Sequence, residues 1–293
     1  MTNKHPSLFS PFMLTEKIKL RNRIVMAPMT TWSANPDGTI SEQELEFYKR
    51  RSQNVGLVIT GCTYVTPSGI GFTHEFAAYD DRFINSLEKL AAAAKSGGAP
   101  AILQIFHAGN KAIPELVPNN DVISASASSV KSGDFMKRVV QSREMTENEI
   151  QETIRAFGDV TKRAIKAGFD GVELHGAHGF LLQNFFSPLF NQRNDRWGGD
   201  LEGRMRFPLA VLQEVKNVVY EYAPYTGCWY PSKKPGEYFF KGEELGELRD
   251  YYGNLLYTSI ATENGVVLYQ TASLNIIEDG PMIAYAAITE TLT

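Results

Sequence analysis

From about residue 20 onward, short runs of β-branched and apolar residues alternate with longer amphipathic runs, the pattern of strand, crossover helix and next parallel strand. Residues 23–29 (RIVMAPM) read as a first strand closed by Pro28. Residues 41–52 (SEQELEFYKRRS) read as its helix, with Ser41 as N-cap and Glu44 at the capping-box position. A second unit pairs the buried strand 55–60 (VGLVIT) with an Ala- and Leu-rich helix over 82–96 that stops at Gly97-Gly98. The third sets strand 101–106 (AILQIF) before a helix over 146–167, whose Thr146-x-x-Glu149 start repeats the capping box. Between them, residues 109–143 are rich in Ser, Asn and Pro and far longer than an ordinary strand-to-helix loop. Either a cover over the substrate side of a pocket or a tolerated surface excursion is expected there. A fourth unit pairs strand 168–174 (GFDGVEL) with a helix over 200–222 capped by Asp200.

Four consecutive units make half of an eight-stranded barrel or most of a doubly wound sheet. A doubly wound dinucleotide fold calls for a Gly-rich turn after its first strand, whereas the first strand here runs into Ala27-Pro28-Met29-Thr30. The predicted fold is therefore α/β, of the (β/α)8 TIM-barrel type, with four units recognisable. Beyond Tyr222 the rhythm stops. Aromatic residues crowd a stretch punctuated by Pro and Gly, and 255–262, 265–271 and 283–288 alternate well enough to be strands of a meander. The predicted organisation is a barrel part over 1–222 and a β-rich segment over 223–293.

The length of 293 residues allows one large domain or a medium one with a smaller companion. With 43% apolar and 21% charged residues, disorder and coiled coil are poor readings. Lys plus Arg number 29 against 33 Asp plus Glu, so no basic field exists to hold nucleic acid. Only Cys62 and Cys228 are present, too few for a disulfide framework. The opening MTNKHPSLFS lacks the apolar core of a secretion signal, and no apolar run nears the roughly 20 residues that cross a bilayer. A cytoplasmic chain acting on a small molecule is expected, off the membrane, with a homo-oligomer left open.

In a barrel the chemistry lies at the C-terminal strand ends. Strand one ends in Met29-Thr30-Thr31 and strand two in Gly61-Cys62-Thr63; strand three contains Gln104 and ends at His107; strand four ends in His175-Gly176-Ala177-His178. His107 alone reads as a packed, hydrogen-bonded interior residue. His175 and His178, three apart just past a buried strand, can aim two imidazoles at one anchored oxygen. Three histidines also admit a zinc hydrolase. Against it, His-x-x-His is not the His-x-x-x-His helix spacing, and no carboxylate ends strands one or two, so no metal is expected.

Three segments carry a resemblance: residues 8–29 (LFSPFMLTEKIKLRNRIVMAPM), 104–111 (QIFHAGNK) and above all 169–207 (FDGVELHGAHGFLLQNFFSPLFNQRNDRWGGDLEGRMRF). In order, over about residues 7–220, they resemble the Old Yellow Enzyme family, the NAD(P)H:flavin oxidoreductases that hold FMN on a (β/α)8 barrel. The resemblance implies FMN as cofactor and NADH or NADPH as donor, with hydride passing through flavin N5 to an electrophilic alkene or quinone-like acceptor. It implies that Ala27, Pro28 and Met29 lie against the flavin ring, that Thr30 bonds a ring carbonyl, and that Cys62 and Gln104 meet the pyrimidine edge. It assigns His175 and His178 to the substrate oxygen, where hydride addition leaves negative charge that needs donors. Relatives commonly have a proton-donating Tyr where this chain has Phe180, and many have Tyr at Trp32; both positions are expected in the substrate pocket. Within the 169–207 segment, Arg193, Asp195, Arg204 and Arg206 are expected to bind the loop together. No residues after Val219 match the family's later strands, its flavin-side Arg or its phosphate loops. A fragment, a fusion or a broken reading frame is expected on that ground, with weakened FMN affinity. A non-catalytic half-barrel that has lost flavin is the alternative reading.

Overall fold

A computed structural model describes residues 6–15, 18–131, 139–216, 218–262, 264–270, 275–278 and 281–287. The chain divides into two compact units, Met1–Val211 and Leu212–Thr293.

The first unit is built on four parallel strands: β1 (Val25–Met26), β2 (Leu57–Ile59), β3 (Ala101–Phe106) and β4 (Gly171–Leu174). They pair in sequence order, Val25 beside Leu57, Val58 beside Ala101 and Gly171 beside Ile102, which is the succession of a (β/α) barrel. The crossover helices are α1 (Glu42–Arg51), α2 (Ile84–Lys95) and α3 (Glu147–Lys166). Between them and the sheet lies an apolar core of Leu87, Leu90, Leu103, Ile105 and Phe157, all fully buried, while Phe106 turns to the other face and packs on Phe180. Ser41 caps α1 as expected. Thr146 and Glu149 close a complete capping box on α3, satisfying two of the backbone N–H groups that a helix start leaves free.

Differences from the sequence reading have physical reasons. Strand β1 is two residues long rather than seven, because only Val25 and Met26 find ladder partners on β2, while Pro28 has no N–H to give. Glu44 does not complete a capping box: its side chain turns inward to accept from the Thr31 hydroxyl. A six-residue helix, α4 (Leu181–Phe186), was not expected. The helix after it, α5 (Leu201–Lys216), ends six residues early, and Val218–Tyr222 is a strand. Val218, Val219 and Tyr220 are strand formers, and an antiparallel partner, Pro281–Ala287, is available to them. Within 109–143 the described residues form a small three-stranded sheet rather than an open loop, with Val139–Glu144 between Ile123–Ser124 and Ser128–Lys131; residues 132–138 fall outside the described ones.

The second unit holds two four-stranded sheets. One orders Val218–Tyr222, Pro281–Ala287, Gly265–Gln270 and Tyr238–Phe239; the other orders Leu255–Ile260, Glu244–Arg249, Gly227–Pro231 and Asn275–Ile276. The expected meander is therefore split, since Leu255–Ile260 lies in a different sheet from its two supposed neighbours. Thr271 and Ile288, the far ends of two expected strands, lie outside the described residues. Trp229, Phe239, Leu245, Leu248, Met282 and Ile283 form the unit's core.

Candidate active site

The C-terminal ends of β1 to β4 converge on one cleft of about 400 Å³, within the range of small-molecule sites. Pro28 and Thr30 follow β1, Cys62 follows β2, Gln104 lies on β3, and Glu173, His175 and His178 come from β4 and its turn. Phe72 and Phe180 form an aromatic wall. Ala27 and Met29, one residue to either side of Pro28, are exposed and do not line the cleft, as the alternation of an extended segment requires. Trp32 also stands outside the lining, but its ring meets Phe72 edge-on at 5.7 Å. Among the described residues of 109–143 none lines the cleft, and Lys111 reaches the His178 carbonyl.

The floor is a chain of polar contacts. Met29 O lies 2.4 Å from where a Cβ on Gly61 would stand, so the β1 end can pass this close to β2 only at glycine. The Gly61 N–H donates to the Tyr48 hydroxyl of α1 at 2.8 Å. Burial first, and Glu75 second, push the Cys62 thiol up to about 12, while a hydrogen bond with the Thr30 side chain opposes them. Cys62 is therefore a protonated S–H donor, and it donates to Gln104 Oε1 at 3.1 Å. Gln104 Nε2 in turn donates to Glu173 Oε1 at 2.6 Å. Glu173 is a site residue that the sequence reading passed over, because a single carboxylate inside an apolar strand gives no sign of which side it faces.

The histidine pair is held by its turn. His178 and Gly179 both have positive φ, 57° and 74°, which places the second imidazole beyond the strand end. Lys111 donates to His178 O, Gly179 N–H donates to Gln183 Oε1 at 2.6 Å, and the buried Asn184 Nδ2 donates to Gly179 O at 2.9 Å. Asn184 Oδ1 also receives Asn110 N–H and the Ser124 hydroxyl, which ties α4 to the turn after β3. The Ala177 N–H donates to His175 Nδ1 at 3.2 Å, so the neutral ring carries its hydrogen on Nε2, 3.1 Å from His178 Nδ1. His178 then presents its own Nε2–H. Burial foremost, with His178 beside it, lowers His175 to about 4, so that ring is neutral near pH 7. One of the two expected imidazole donors is thus engaged by the other in this geometry.

His107 does not join them. It is fully buried, its Nδ1 accepts from Gly109 N–H at 3.0 Å, its Nε2 faces Ser68, and burial lowers it to about 3. Among the described residues, no three His, Cys, Asp or Glu side chains gather in a way that could hold a metal ion. Arg193 and Asp195 bind the following loop together, Arg193 reaching Asp195 and the carbonyls of Ala125 and Met145. Arg204 donates to Phe186 O and Gly199 O, whereas the partner of Arg206 among the described residues is Glu202 on its own helix.

This succession of strand ends is shared with known proteins. Residues 7–226 match the model of the NADH:flavin oxidoreductase / NADH oxidase family. The chain belongs to that family. A probable NADH-dependent flavin oxidoreductase of Bacillus subtilis is 47% identical over 76% of this chain and 58% of its own length. The NADH:fumarate oxidoreductase of Klebsiella pneumoniae is 39% identical over 74% of this chain and 23% of its own. The solved old yellow enzyme homologue from Zymomonas mobilis superposes with a TM-score of 0.66 at 28% identity, over 72% of this chain and 60% of that one. The chain thus spans less than two thirds of each of these relatives. FMN and a nicotinamide donor are the cofactors that go with this family.

The residues present fit the ring of a flavin. Pro28 offers an apolar face, and Thr30, Gln104 and Cys62 offer donors and acceptors along one edge. They do not offer a phosphate site: among the described residues that line the cleft, Glu173 brings a carboxyl and no Lys or Arg is present.

Proposed function

We propose that the barrel part, residues 1–222, holds an FMN-dependent NAD(P)H oxidoreductase site passing hydride to a quinone-like or electrophilic alkene acceptor, its cleft residues all in the first unit and 223–293 apart from the chemistry. The reading rests on one observation above all: four successive strand ends bring Thr30, Cys62, Gln104 and the His175–His178 pair to a single cleft. Bound FMN would supply hydride transfer through its ring. Thr30, Cys62 and Gln104 would hold the ring edge, and Pro28 its face. His178, with its Nε2–H outward and His175 donating into its Nδ1, would give the acceptor oxygen a hydrogen bond that strengthens as charge develops.

Phe180 decides between acceptor types. Its ring packs edge-on to His175 at 4.9 Å and carries no acidic proton. A quinone taking up hydride and one proton becomes a hydroquinone with its protons on oxygen, which His178 and solvent can serve. An alkene needs a proton on carbon, which must then come from solvent. Quinone-like acceptors fit the cleft better. The two unpaired thiols, buried Cys62 and partly buried Cys228, suit a reducing compartment such as the cytoplasm. Anaerobic mixing of the FMN-loaded chain with NADH or NADPH tests the reading. Bleaching of the flavin bands, followed by recovery on adding a benzoquinone, is expected; a chain whose added FMN is never reduced is the non-catalytic half-barrel instead.

A further inference from the structure

The loop between β2 and α2 carries a buried carboxyl that the function above does not use. Glu75 is 2% exposed. Its Oε2 accepts the N–H of Gly71 at 3.0 Å and of Phe72 at 3.3 Å. Its Oε1 is buried with no hydrogen-bond partner, and Glu75 lines a narrow void together with Thr30, Cys62, Trp32 and His74. The residue it grips, Phe72, lines the main cleft, where its ring meets Trp32 edge-on at 5.7 Å and Phe180 at 6.2 Å. Phe72 sits on a loop, and two backbone amides fixed by one buried side chain are a direct way to orient the ring it bears.

We propose that Glu75 is the positioning residue that sets Phe72 into the cleft wall, making Phe72 a determinant of specificity for flat aromatic acceptors and ligands. This rests on the oxidoreductase reading for the ligand class but not for the placement of the ring. Burial favours the neutral form of the carboxyl. An ionised carboxylate would leave charge on an oxygen that no donor reaches, beside the Cys62 thiol and the Thr30 hydroxyl. Burial raises Glu75 well above the ordinary carboxylate range, against the two amide bonds. With Phe72 and Phe180 in the lining and Trp32 packed on Phe72 from outside it, the wall is apolar and aromatic, a surface on which a planar ring can stack edge-on or offset.

Two measurements on the full chain test this. The first is amide hydrogen exchange at Gly71 and Phe72, which needs no flavin. Glu75→Gln keeps the acceptor and the neutrality, so exchange stays within about twofold of the parent; Glu75→Ala speeds it at least tenfold, roughly the loss of one net hydrogen bond. Equal speeding by both variants, or by neither, overturns the proposal. The second is binding of 4-hydroxybenzaldehyde to the FMN-loaded chain. Glu75→Ala and Phe72→Ala each weaken it at least fivefold, and the double variant weakens it no further, because both remove the same ring from the wall. Additive losses overturn the link to Phe72. If the parent chain takes up no FMN, the oxidoreductase reading falls, and the exchange measurement alone decides the placement.

Discussion

A hydrogen bond from His175 into His178 divides the labour proposed for them: His175 fixes which ring nitrogen of His178 carries the proton, and His178 is the one proposed to meet the acceptor. His178→Ala should therefore slow oxidation of the reduced flavin by acceptor about 100-fold, in the range of a lost oxyanion donor, and leave flavin reduction by NADH largely intact. Stopped-flow measurement of the two half-reactions checks this; equal loss in both would contradict the assignment. Burial also sets the response to pH. His175 and His107 take up protons near 6.5 when unfolded but only near 4 and 3 when folded. Their contribution is thus complete above 6.5 and is lost as the pH falls through that window. Glu44 runs the other way: burial pushes it up to about 7 from 4.5, so its folded form loses stability as the pH rises from 4.5 through 7. In urea melts at several pH values, His107→Asn should flatten the acid limb and Glu44→Gln the neutral one. The histidine pair was legible because two identical ring types past one strand end are a local signal. Glu173, Glu75 and Glu44 were not, since which way a carboxylate turns is settled by the partners that the fold brings to it, Gln104 for Glu173, the Gly71 and Phe72 amides for Glu75 and Thr31 for Glu44.

Elements were legible wherever the decisive contacts are local. Strand β3 begins and ends where its apolar run does, and both Ser41 and Thr146 cap the helices they precede. The helix 200–222 was misjudged where a long-range pairing, Val218 with Ala286, outweighed the continuing amphipathic pattern. Short α4 escaped because six residues give less than two turns of periodicity, and its start is fixed by Gln183 and Asn184 rather than by a capping Ser or Thr. Two predictions follow from these elements. Thr146→Ala should cost about 1 kcal/mol in denaturant titration, the ordinary value of a lost N-cap; no change would mean that Glu149 alone holds the start. Gly179→Ala places a Cβ 2.9 Å from Lys111 Nζ on a backbone with φ of 74°. It should weaken phenol binding at His178 more than it lowers the melting temperature, and the reverse order would deny the turn its positioning role.

For the whole molecule, the family match over 7–226 embraces all four strands and every residue proposed for the cleft. That much was legible, since the motif around Arg193 to Gly199 is long and irregular. The two sheets of the second unit were foreshadowed only as alternation, because alternation gives strands but not which sheet each joins. No described helix is long and apolar enough to cross a membrane. On the proposed reading the strand ends hold a flavin ring by its edge, and no Lys or Arg is among the described residues that line the cleft to take a phosphate. That reading is tested most directly by titrating the full chain with FMN and, in parallel, with riboflavin, which has the ring but no phosphate. The account predicts that both bind, with dissociation constants within about threefold of each other, and that Gln104→Ala weakens both at least tenfold, as losing one or two buried hydrogen bonds would. Absence of binding by either, or binding untouched by Gln104→Ala, would contradict it.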